Sequence, residues 1–290
     1  MRSVFFLLVF LACNLCGPAQ ASTVSVIDDA GRELQFAAPV GRVISLSPHL
    51  TELLFAIGAG DRIAATVRGS DYPAAAANLP QIGDAAGLDF ERILATRPDL
   101  VLAWSSGNRS VDVARLRELG LRVLELEPRR LEDIPRHLRL LGGLVDREAQ
   151  AQVVATDFEQ RIAALRARYA GRPNVSVLFE IWHQPLFTVN RDHIISRVLE
   201  LCGGRNIFAA LPRLAQEVSI EQVLAVDPDV IVVGSEAADA GPANWAVFPW
   251  MRAVQAGNVF AVSADAITRQ TPRLAQAAER LCAGLDRARR

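Results

Sequence analysis

Apolar residues along this chain fall into short continuous runs and into longer segments with helical spacing. The runs at 100–102 and 230–233 contain only leucine, isoleucine and valine, a pattern typical of buried parallel strands. A segment of helical spacing precedes each run and should end before a Pro-Asp pair, because the residue before proline is disfavoured in the α region. Similar helix and strand alternation elsewhere predicts an α/β fold.

This helix and strand unit occurs twice. Residues 89–102 read DFERILATRPDLVL and residues 219–232 read SIEQVLAVDPDVIV, so Glu91 recurs as Glu221 at an offset of 130 residues. Asp89 and Ser219 are plausible helix N-caps, and Gln222 is placed for a capping box. A period this long indicates two duplicated domains and not a repeat array. Reuse of a common α/β connection is the alternative, but packing does not require a glutamate in both first turns.

Between the two copies, residues 146–170 change character. Apolar residues at 154, 158, 162, 165 and 169 have helical spacing, with charged residues between them. They predict one amphipathic helix of about 24 residues and about 36 Å. We therefore expect two similar α/β lobes, at 22–145 and 171–290, joined by one long rigid helix. The ligand cleft would lie between the lobes.

The first 21 residues have the three parts of a secretory signal. Met1-Arg2 is followed by an apolar run that is too short to span a bilayer, and the segment ends Ala19-Gln20-Ala21, an A-x-A cleavage site. Export to the periplasm is the prediction. The alternative is a lipid anchor at Cys13, because Phe10-Leu11-Ala12-Cys13 loosely matches a lipobox.

Export affects how the remaining cysteines and charges are interpreted. The mature chain keeps Cys202 and Cys282, and two cysteines in an exported protein favour a disulfide. Two separately buried thiols are the alternative.

The formal charge is −1 and becomes −2 without Arg2, so nothing indicates a nucleic-acid partner. No later segment is apolar enough to predict a transmembrane helix.

Enzyme signatures are missing from the chain. The sequence contains no G-x-S-x-G elbow, no G-x-x-x-x-G-K-[ST] phosphate loop and no G-x-G-x-x-G at a helix start. No two histidines have zinc-site spacing. We therefore expect a binding protein with no catalytic residues, no cofactor and no metal site of its own.

Loops that follow the predicted strands are the candidate binding surface, because such loops line the crevices of open α/β sheets. They contain one tyrosine, two tryptophans and two histidines, at 47–49, 70–73, 104–108, 182–187 and 265–269. Aromatic side chains here can simply cover the core. Their convergence on one predicted edge favours a ligand platform.

These motifs resemble the periplasmic cobalamin-binding proteins of ABC importers, whose two lobes are joined by a single long helix. The resemblance is carried in order by RVISLSPHLTELLFAIGAG, SDYP, LDFERILATRPDLVLAWSSGN, PLFTVN, VSIEQVLAVDPDVIVV and TPRLAQAAERLC, from about Arg42 to Cys282. It implies capture of a corrinoid and delivery to an ABC importer permease dimer. We expect the free binding protein to be a monomer.

The resemblance also assigns roles to residues of this chain. It implies that Glu91 and Glu221 dock onto permease arginines and that Cys202 and Cys282 form a disulfide. Stabilisation of the helix dipole, about 0.3–1 kcal/mol, is the structural alternative for the glutamates. The ligand-binding positions that it implies, together with Trp182 from the loop pattern, are Pro48, His49, Tyr72, Trp104, Trp182, Phe187, Asp265 and Arg269.

The chain departs from the family pattern at several aromatic positions. Family aromatics correspond to Gly69, Ala85, Ala266 and a position near Leu214. Trp182 and Trp245 are the two tryptophans that can compensate from other places. These departures leave the preferred corrinoid open.

Two histidines are candidates for a metal carried by the ligand. His49 could coordinate cobalt or iron axially through a neutral imidazole, although a structural hydrogen bond is the simpler interpretation. His183 has a similar but weaker claim. A ferric siderophore or haem is the alternative cargo, because Arg68, Tyr72 and Arg269 suit such ligands.

Overall fold

The computed structural model describes residues 22–235 and 240–290. The predicted signal peptide and the lipobox with Cys13 lie outside these residues. Within the described ranges, no helix combines the length and apolarity needed to cross a membrane.

The first lobe begins with a β-hairpin of β1 Ser22–Ile27 and β2 Glu33–Ala38. The other strands of the lobe are β3 Val43–Ser45, β4 Ile63–Thr66, β5 Gly83–Asp84, β6 Gly87–Leu88, β7 Leu100–Trp104 and β8 Val123–Leu126. Four of them form a parallel sheet in the order β4-β3-β7-β8. Its helices are α1 Pro48–Ala56, α2 Phe90–Thr96, α3 Ser110–Glu118 and α4 Asp133–Val145.

A single helix, α5 Glu148–Tyr169, leads to the second lobe. The strands of this lobe are β9 Val175–Glu180, β10 Phe187–Val189, β11 Gly204–Asn206, β12 Ala215–Glu217, β13 Val230–Gly234 and β14 Val259–Val262. Four of them form a parallel sheet in the order β11-β9-β13-β14. The helices are α6 Ile194–Leu201, α7 Ile220–Val226, α8 Ala240–Trp245, α9 Arg252–Gln255, α10 Ala264–Thr268 and α11 Arg273–Arg287.

The duplicated unit has the same structure in both lobes. Helices α2 and α7 begin and end 130 residues apart, and each leads into the third strand of its sheet order. Asp89 caps the first through the Arg92 amide, and Ser219 and Gln222 form the predicted capping box of the second. Both helices end in a left-handed residue, Arg97 or Asp227, directly before the proline. The α/β duplication is therefore confirmed.

The aspartate of each Pro-Asp pair fixes the neighbouring strand. Asp99 accepts backbone hydrogen bonds from Gly41 and Arg42 at 3.0 and 2.8 Å, just before β3. Asp229 accepts one from the Ser176 amide at 2.8 Å, at the start of β9. The carboxylates satisfy amides at the strand entrance that would otherwise lack partners, which gives the repeated sequence a structural reason.

The two lobes share part of their core through α5. One face of each sheet packs into a continuous cluster of buried side chains that runs from Phe36 to Leu285 and includes the α5 stripe of Ala151, Ala155, Phe158, Ile162, Leu165 and Tyr169. The opposite face of each sheet has a separate cluster, with Ile93 of α2 in one and Val223 of α7 in the other. Helix α5 is thus packed against both lobes along its length.

This shared core limits how far the lobes can move. Domain motion is expected where an interface is small and polar, whereas a large apolar interface resists it. We expect binding to close the cleft by only a few degrees. Small-angle scattering with and without ligand checks this, and a large decrease in the radius of gyration would contradict it.

Cys202 and Cys282 form the predicted disulfide, between the C-cap of α6 and helix α11. The bond closes a loop of 80 residues, which in the chain-entropy model stabilises the fold by about 4 kcal/mol. Replacing both cysteines with alanine should lower the unfolding free energy by about that amount, measured by urea denaturation. Adding a reducing agent should destabilise the native protein but not the variant. Equal stability of the native protein and the variant without reducing agent would contradict the prediction.

Candidate ligand-binding cleft

The carboxyl ends of the two parallel sheets lie at a cleft that side chains bridge at one end. Arg269, at the C-cap of α10, donates to Glu52 of α1 at 2.7 Å and to Asp71 at 2.8 Å. Arg273 at the start of α11 donates to the same Glu52 at 2.6 and 3.0 Å. Its guanidinium also lies 3.7 Å from the centre of the Tyr72 ring. We call this group of five residues the interlobe bridge.

The interlobe bridge is buried at its centre. The Glu52 side chain is 3% exposed, against 13% for Arg269 and 22% for Arg273. Burial alone would lower the pKa of Arg269, but its bonds to Asp71 and Glu52 outweigh burial and raise it. The bond from Arg269 also lowers the pKa of the Asp71 carboxyl. Arg269 and Asp71 therefore both stay charged at neutral pH.

His49, in the first turn of α1, and Trp104, the last residue of β7, pack together at the carboxyl edge of the first-lobe sheet. Their rings meet edge to face with centroids 5.0 Å apart. His49 Nδ1 lies 2.6 Å from the Ser47 hydroxyl, while His49 Nε2 and Trp104 Nε1 are buried without a hydrogen-bond partner among the described residues. A Cβ on Gly107 would come within 1.9 Å of the Trp104 ring, so glycine is required there for the ring to lie against its loop.

Burial fixes the charge state of His49. It is 2% exposed, and burial lowers its pKa to about 3, with smaller contributions from His137 and Arg269. Burial likewise lowers the pKa of His193 to about 4, where Nδ1 accepts the α6 capping bond from the Ile195 amide. Both imidazoles are therefore neutral at physiological pH.

These histidines make stability depend on pH. Because their folded pKa values lie below 6.5, the unfolded chain binds protons that the folded chain does not, and stability falls as the pH drops from about 6.5 towards 4. The loss is up to about 1.4 kcal/mol per pH unit for each histidine. Urea denaturation at pH 7.5, 6.0 and 5.0 measures it. Burial raises the pKa of Glu180, which acts on stability in the opposite direction, so the native protein is compared with His49→Gln. This variant should have a smaller slope of unfolding free energy against pH. An unchanged slope would contradict the assignment to His49.

In the second lobe, a cavity of about 420 Å³ lies at the ends of β9 and β13. Trp182 is 64% exposed at its rim, and its indole N–H donates to the Gln184 carbonyl at 2.9 Å, which fixes the ring. We call this the C-lobe cavity; its lining residues are Glu180, Ile181, Trp182, His183, Gln184, Val233, Gly234, Ser235 and Asn244.

A buried carboxylate lies at the base of the C-lobe cavity. Glu180 is 1% exposed and accepts a 2.6 Å bond from the Trp245 indole. His183 Nδ1 lies 3.2 Å from its other oxygen. Burial raises the pKa of Glu180, although the bond from Trp245 and the nearby His183 imidazole act against the rise.

The structure positions the predicted ligand residues in three groups. Tyr72, Asp265 and Arg269 lie together at the interlobe bridge, where Asp265 is 3.2 Å from Arg269. Pro48, His49 and Trp104 belong to the first lobe, with Pro48 at the first turn of α1. Trp182 and Phe187 pair across an antiparallel bridge in the second lobe.

Trp245 was predicted to compensate for a missing family aromatic, and this is wrong. Its side chain is fully buried, between the C-lobe sheet and Phe248, and its indole N–H is used by Glu180. Trp182, in contrast, has an exposed ring that a ligand can contact. Within residues 22–235 and 240–290 no group of three or more histidine, cysteine or acidic residues could hold a metal ion.

The sequence-based interpretation missed Glu52, Arg273 and Glu180. Glu52 interrupts an otherwise buried apolar helix, TELLFA, and Glu180 ends a wholly buried strand. A charged residue inside an apolar run is a signal that it is paired or functional. That signal was present in the sequence, but it does not identify the partner.

Glu91 and Glu221 are exposed in the first turns of α2 and α7. Each therefore presents a carboxylate to solvent from an equivalent position in its lobe. Hydrogen bonds to its own backbone amide and to Ser219 lower the pKa of Glu221. No basic side chain of the described residues forms an ion pair with either carboxylate at the salt-bridge distance of 4.0 Å or less.

Comparisons with known proteins agree with this geometry. Residues 43–266 match the family model described as periplasmic binding protein. The chain is 37% identical to a vitamin B12-binding protein of Vibrio cholerae over 245 residues, covering 84% of this chain and 88% of the relative. It is 38% identical to a vitamin B12-binding protein of Photorhabdus laumondii over 253 residues, covering 87% and 90%.

Solved structures show the same relationship. The crystal structure of the periplasmic vitamin B12-binding protein BtuF of Vibrio cholerae matches with a TM-score of 0.81 and 35% identity, covering 86% of this chain and 98% of that one. A periplasmic haem-binding protein from Pseudomonas aeruginosa matches with a TM-score of 0.72 and 25% identity, covering 84% and 92%. With a family match over most of its length and two lobes joined by one long helix, the chain belongs to the periplasmic binding proteins.

Proposed function

We propose that this protein captures a corrinoid in the periplasm and delivers it to the permease of an ABC importer. The observation that carries the proposal is a pair of lobes joined through a shared core, with aromatic side chains at the strand ends of both lobes and the charged interlobe bridge between them. Flat macrocycles suit aromatic faces, which supply contact area at low entropic cost. The relatives named for vitamin B12 binding support the same ligand.

Each group of cleft residues has a distinct part in this proposal. Trp104 and Trp182 offer ring faces from opposite lobes, with Phe187 beside Trp182. Arg269 and Asp265 offer a donor and an acceptor for the amide side chains of the corrin. Pro48 and the neutral His49 shape the wall of the first lobe, and Tyr72 closes the bridged end.

The proposal describes a carrier and not an enzyme. The protein binds, holds and releases its cargo without changing it, and the corrinoid is cargo and not a cofactor. Residues 1–21 would direct export, with anchoring at Cys13 as the alternative form of the mature protein. The free protein is a monomer, and its partner is a permease dimer that meets Glu91 and Glu221.

The direct test is retention of colour. Purified protein mixed with cyanocobalamin should stay red through desalting, and titration should quench tryptophan fluorescence with a stoichiometry of one. Trp182→Ala should weaken binding, whereas Trp250→Ala is the matched control, because Trp250 is equally exposed but lies outside the cleft loops. Absence of binding to cyanocobalamin or any other corrinoid would exclude the proposal.

Haem or a ferric siderophore is the second candidate cargo. It is favoured by the Tyr72 phenol, 46% exposed at the cleft beside Arg273, and by the haem-binding neighbour of the same fold. Parallel titrations with haemin and with ferric chelates discriminate between the cargoes. Tighter binding of either one than of every corrinoid would replace the first proposal with the second.

A further inference from the structure

The C-lobe cavity contains one imidazole whose two nitrogens lie in different environments. His183 Nδ1 is buried and lies 3.2 Å from Glu180 Oε1. The side chain as a whole is nevertheless 30% exposed. Because Nδ1 is covered, the exposed part of the ring is its other edge, which carries Nε2. Among the described residues Nε2 has no hydrogen-bond partner.

The carboxylate beside Nδ1 is held in place. Glu180 is 1% exposed at the end of a fully buried strand. Its second oxygen accepts the 2.6 Å bond from Trp245, a residue that is itself fully buried. Nδ1 makes no well-aligned hydrogen bond with any described residue, and the Glu180 carboxyl at 3.2 Å is the acidic group that the described residues place beside it. Glu180 is therefore the group whose charge acts on this edge of the imidazole.

This arrangement favours one tautomer of His183. A carboxylate next to Nδ1 stabilises the form with the proton on Nδ1 and leaves a lone pair on Nε2. Histidines that bind metals commonly have a carboxylate beside one ring nitrogen, while the other nitrogen coordinates the metal. A histidine that only packs against a wall needs neither the buried carboxylate nor the exposed Nε2.

A bare metal ion does not fit here. In the described parts of the chain no group of three or more histidine, cysteine or acidic residues could bind an ion, and one imidazole fills one coordination position. The metal must therefore arrive with its other ligands already in place. A planar chelate with an open or exchangeable axial position meets this requirement.

We propose that His183 Nε2 coordinates the metal of the cargo axially by replacing a water molecule bound to that metal. The proposal rests on the proposed function, since it concerns how the same cleft selects among metal macrocycles. In the exchange a metal–water bond breaks, a metal–nitrogen bond forms and the water leaves. The oxidation state of the metal and the protons on the imidazole are unchanged.

The inference predicts which form of the cargo is preferred. A corrinoid with water on the cobalt can exchange it for His183, whereas one with cyanide on that face cannot readily do so. We expect tag-free protein to bind aquocobalamin about tenfold more tightly than cyanocobalamin, the scale on which single groups of a metal site act. The visible absorption bands of aquocobalamin should shift on binding, because nitrogen replaces oxygen on cobalt.

The test compares two variants with three probes: cyanocobalamin, aquocobalamin and diaquocobinamide. His183→Ala should abolish the spectral shift and bring the affinities for the two cobalamins within a factor of about two of each other. Glu180→Gln keeps the size of the side chain and an acceptor for Trp245 but removes the charge beside Nδ1. It should reduce the preference for aquocobalamin without removing the shift. Diaquocobinamide, with water on both faces, should behave as aquocobalamin does.

The possible outcomes separate this inference from the function on which it rests. Binding of both cobalamins with equal affinity and no shift overturns the axial role of His183 and leaves the proposed function intact. A shift that persists in His183→Ala also overturns it. If no corrinoid binds to the native protein, the proposed function fails and the inference fails with it. Thermal denaturation of both variants ensures that they are folded when they are compared.

Discussion

Alanine at both Glu91 and Glu221 should abolish uptake of cyanocobalamin while leaving its binding unchanged. The two carboxylates are exposed at the first turns of α2 and α7, which are equivalent helices of the two lobes. Equivalent charges on a pseudo-twofold molecule match a partner with twofold symmetry. Since neither carboxylate belongs to the walls of the cleft, cargo affinity should not change.

The measurement is uptake in cells that depend on this protein, together with equilibrium binding by the purified variants. Each single variant should retain part of the uptake, because one docking carboxylate remains. Glu118→Ala is the matched control, an exposed glutamate at the end of α3 with a surface partner three residues away. Docking by charge should also weaken as salt is raised. Normal uptake by the double variant would remove the docking role.

The second large effect is expected at Glu52. Glu52→Ala leaves Arg269 and Arg273 beside each other without their shared carboxylate. Removing one member of a buried ion pair typically costs about 3–5 kcal/mol, because a buried charge loses its partner. Asp71 and Asp265 still contact Arg269, so we expect the lower end, about 3 kcal/mol. Urea denaturation measures the loss.

Binding should weaken as well, by about tenfold, since the bridge positions Arg269 and Tyr72 at the cleft. The matched control is Glu279→Ala, which breaks the pair between α11 and Arg161 of α5. Glu279 is 44% exposed, and exposed pairs contribute about 0–1 kcal/mol. A Glu52 variant as stable as the control would show that the interlobe bridge does not hold the lobes.

Much of the fold could be predicted because its signals are local. The bounds of helices α2 and α7 are set by an N-cap residue and by the proline that follows the helix. In each copy the cap and the proline lie within ten residues of each other. The α5 stripe is a periodicity in one helix. The disulfide was supported by the compartment and by the count of two cysteines. In each case the information lies in adjacent residues or in composition.

The contacts that organise the cleft could not be predicted, because they join distant residues. Glu52 meets Arg269 and Arg273 across 217 and 221 residues, and no local pattern specifies that pairing. The prediction that Trp245 compensates for a missing aromatic failed for a related reason. Its exposure depends on which face of a short helix meets the sheet, and α8 is six residues long, too short for periodicity to decide. Glu180 likewise accepts its bond from Trp245, 65 residues away, a contact that no local pattern specifies.

The division of the core has a practical consequence for protein engineering. Helices α2 and α7 pack on outer clusters that are separate from the core shared through α5. Transplanting those outer layers from another member of the family should redirect the carrier to a different transporter while its cargo preference stays the same. If the proposed function holds, chimeras of this kind would make cargo recognition and permease recognition independently exchangeable.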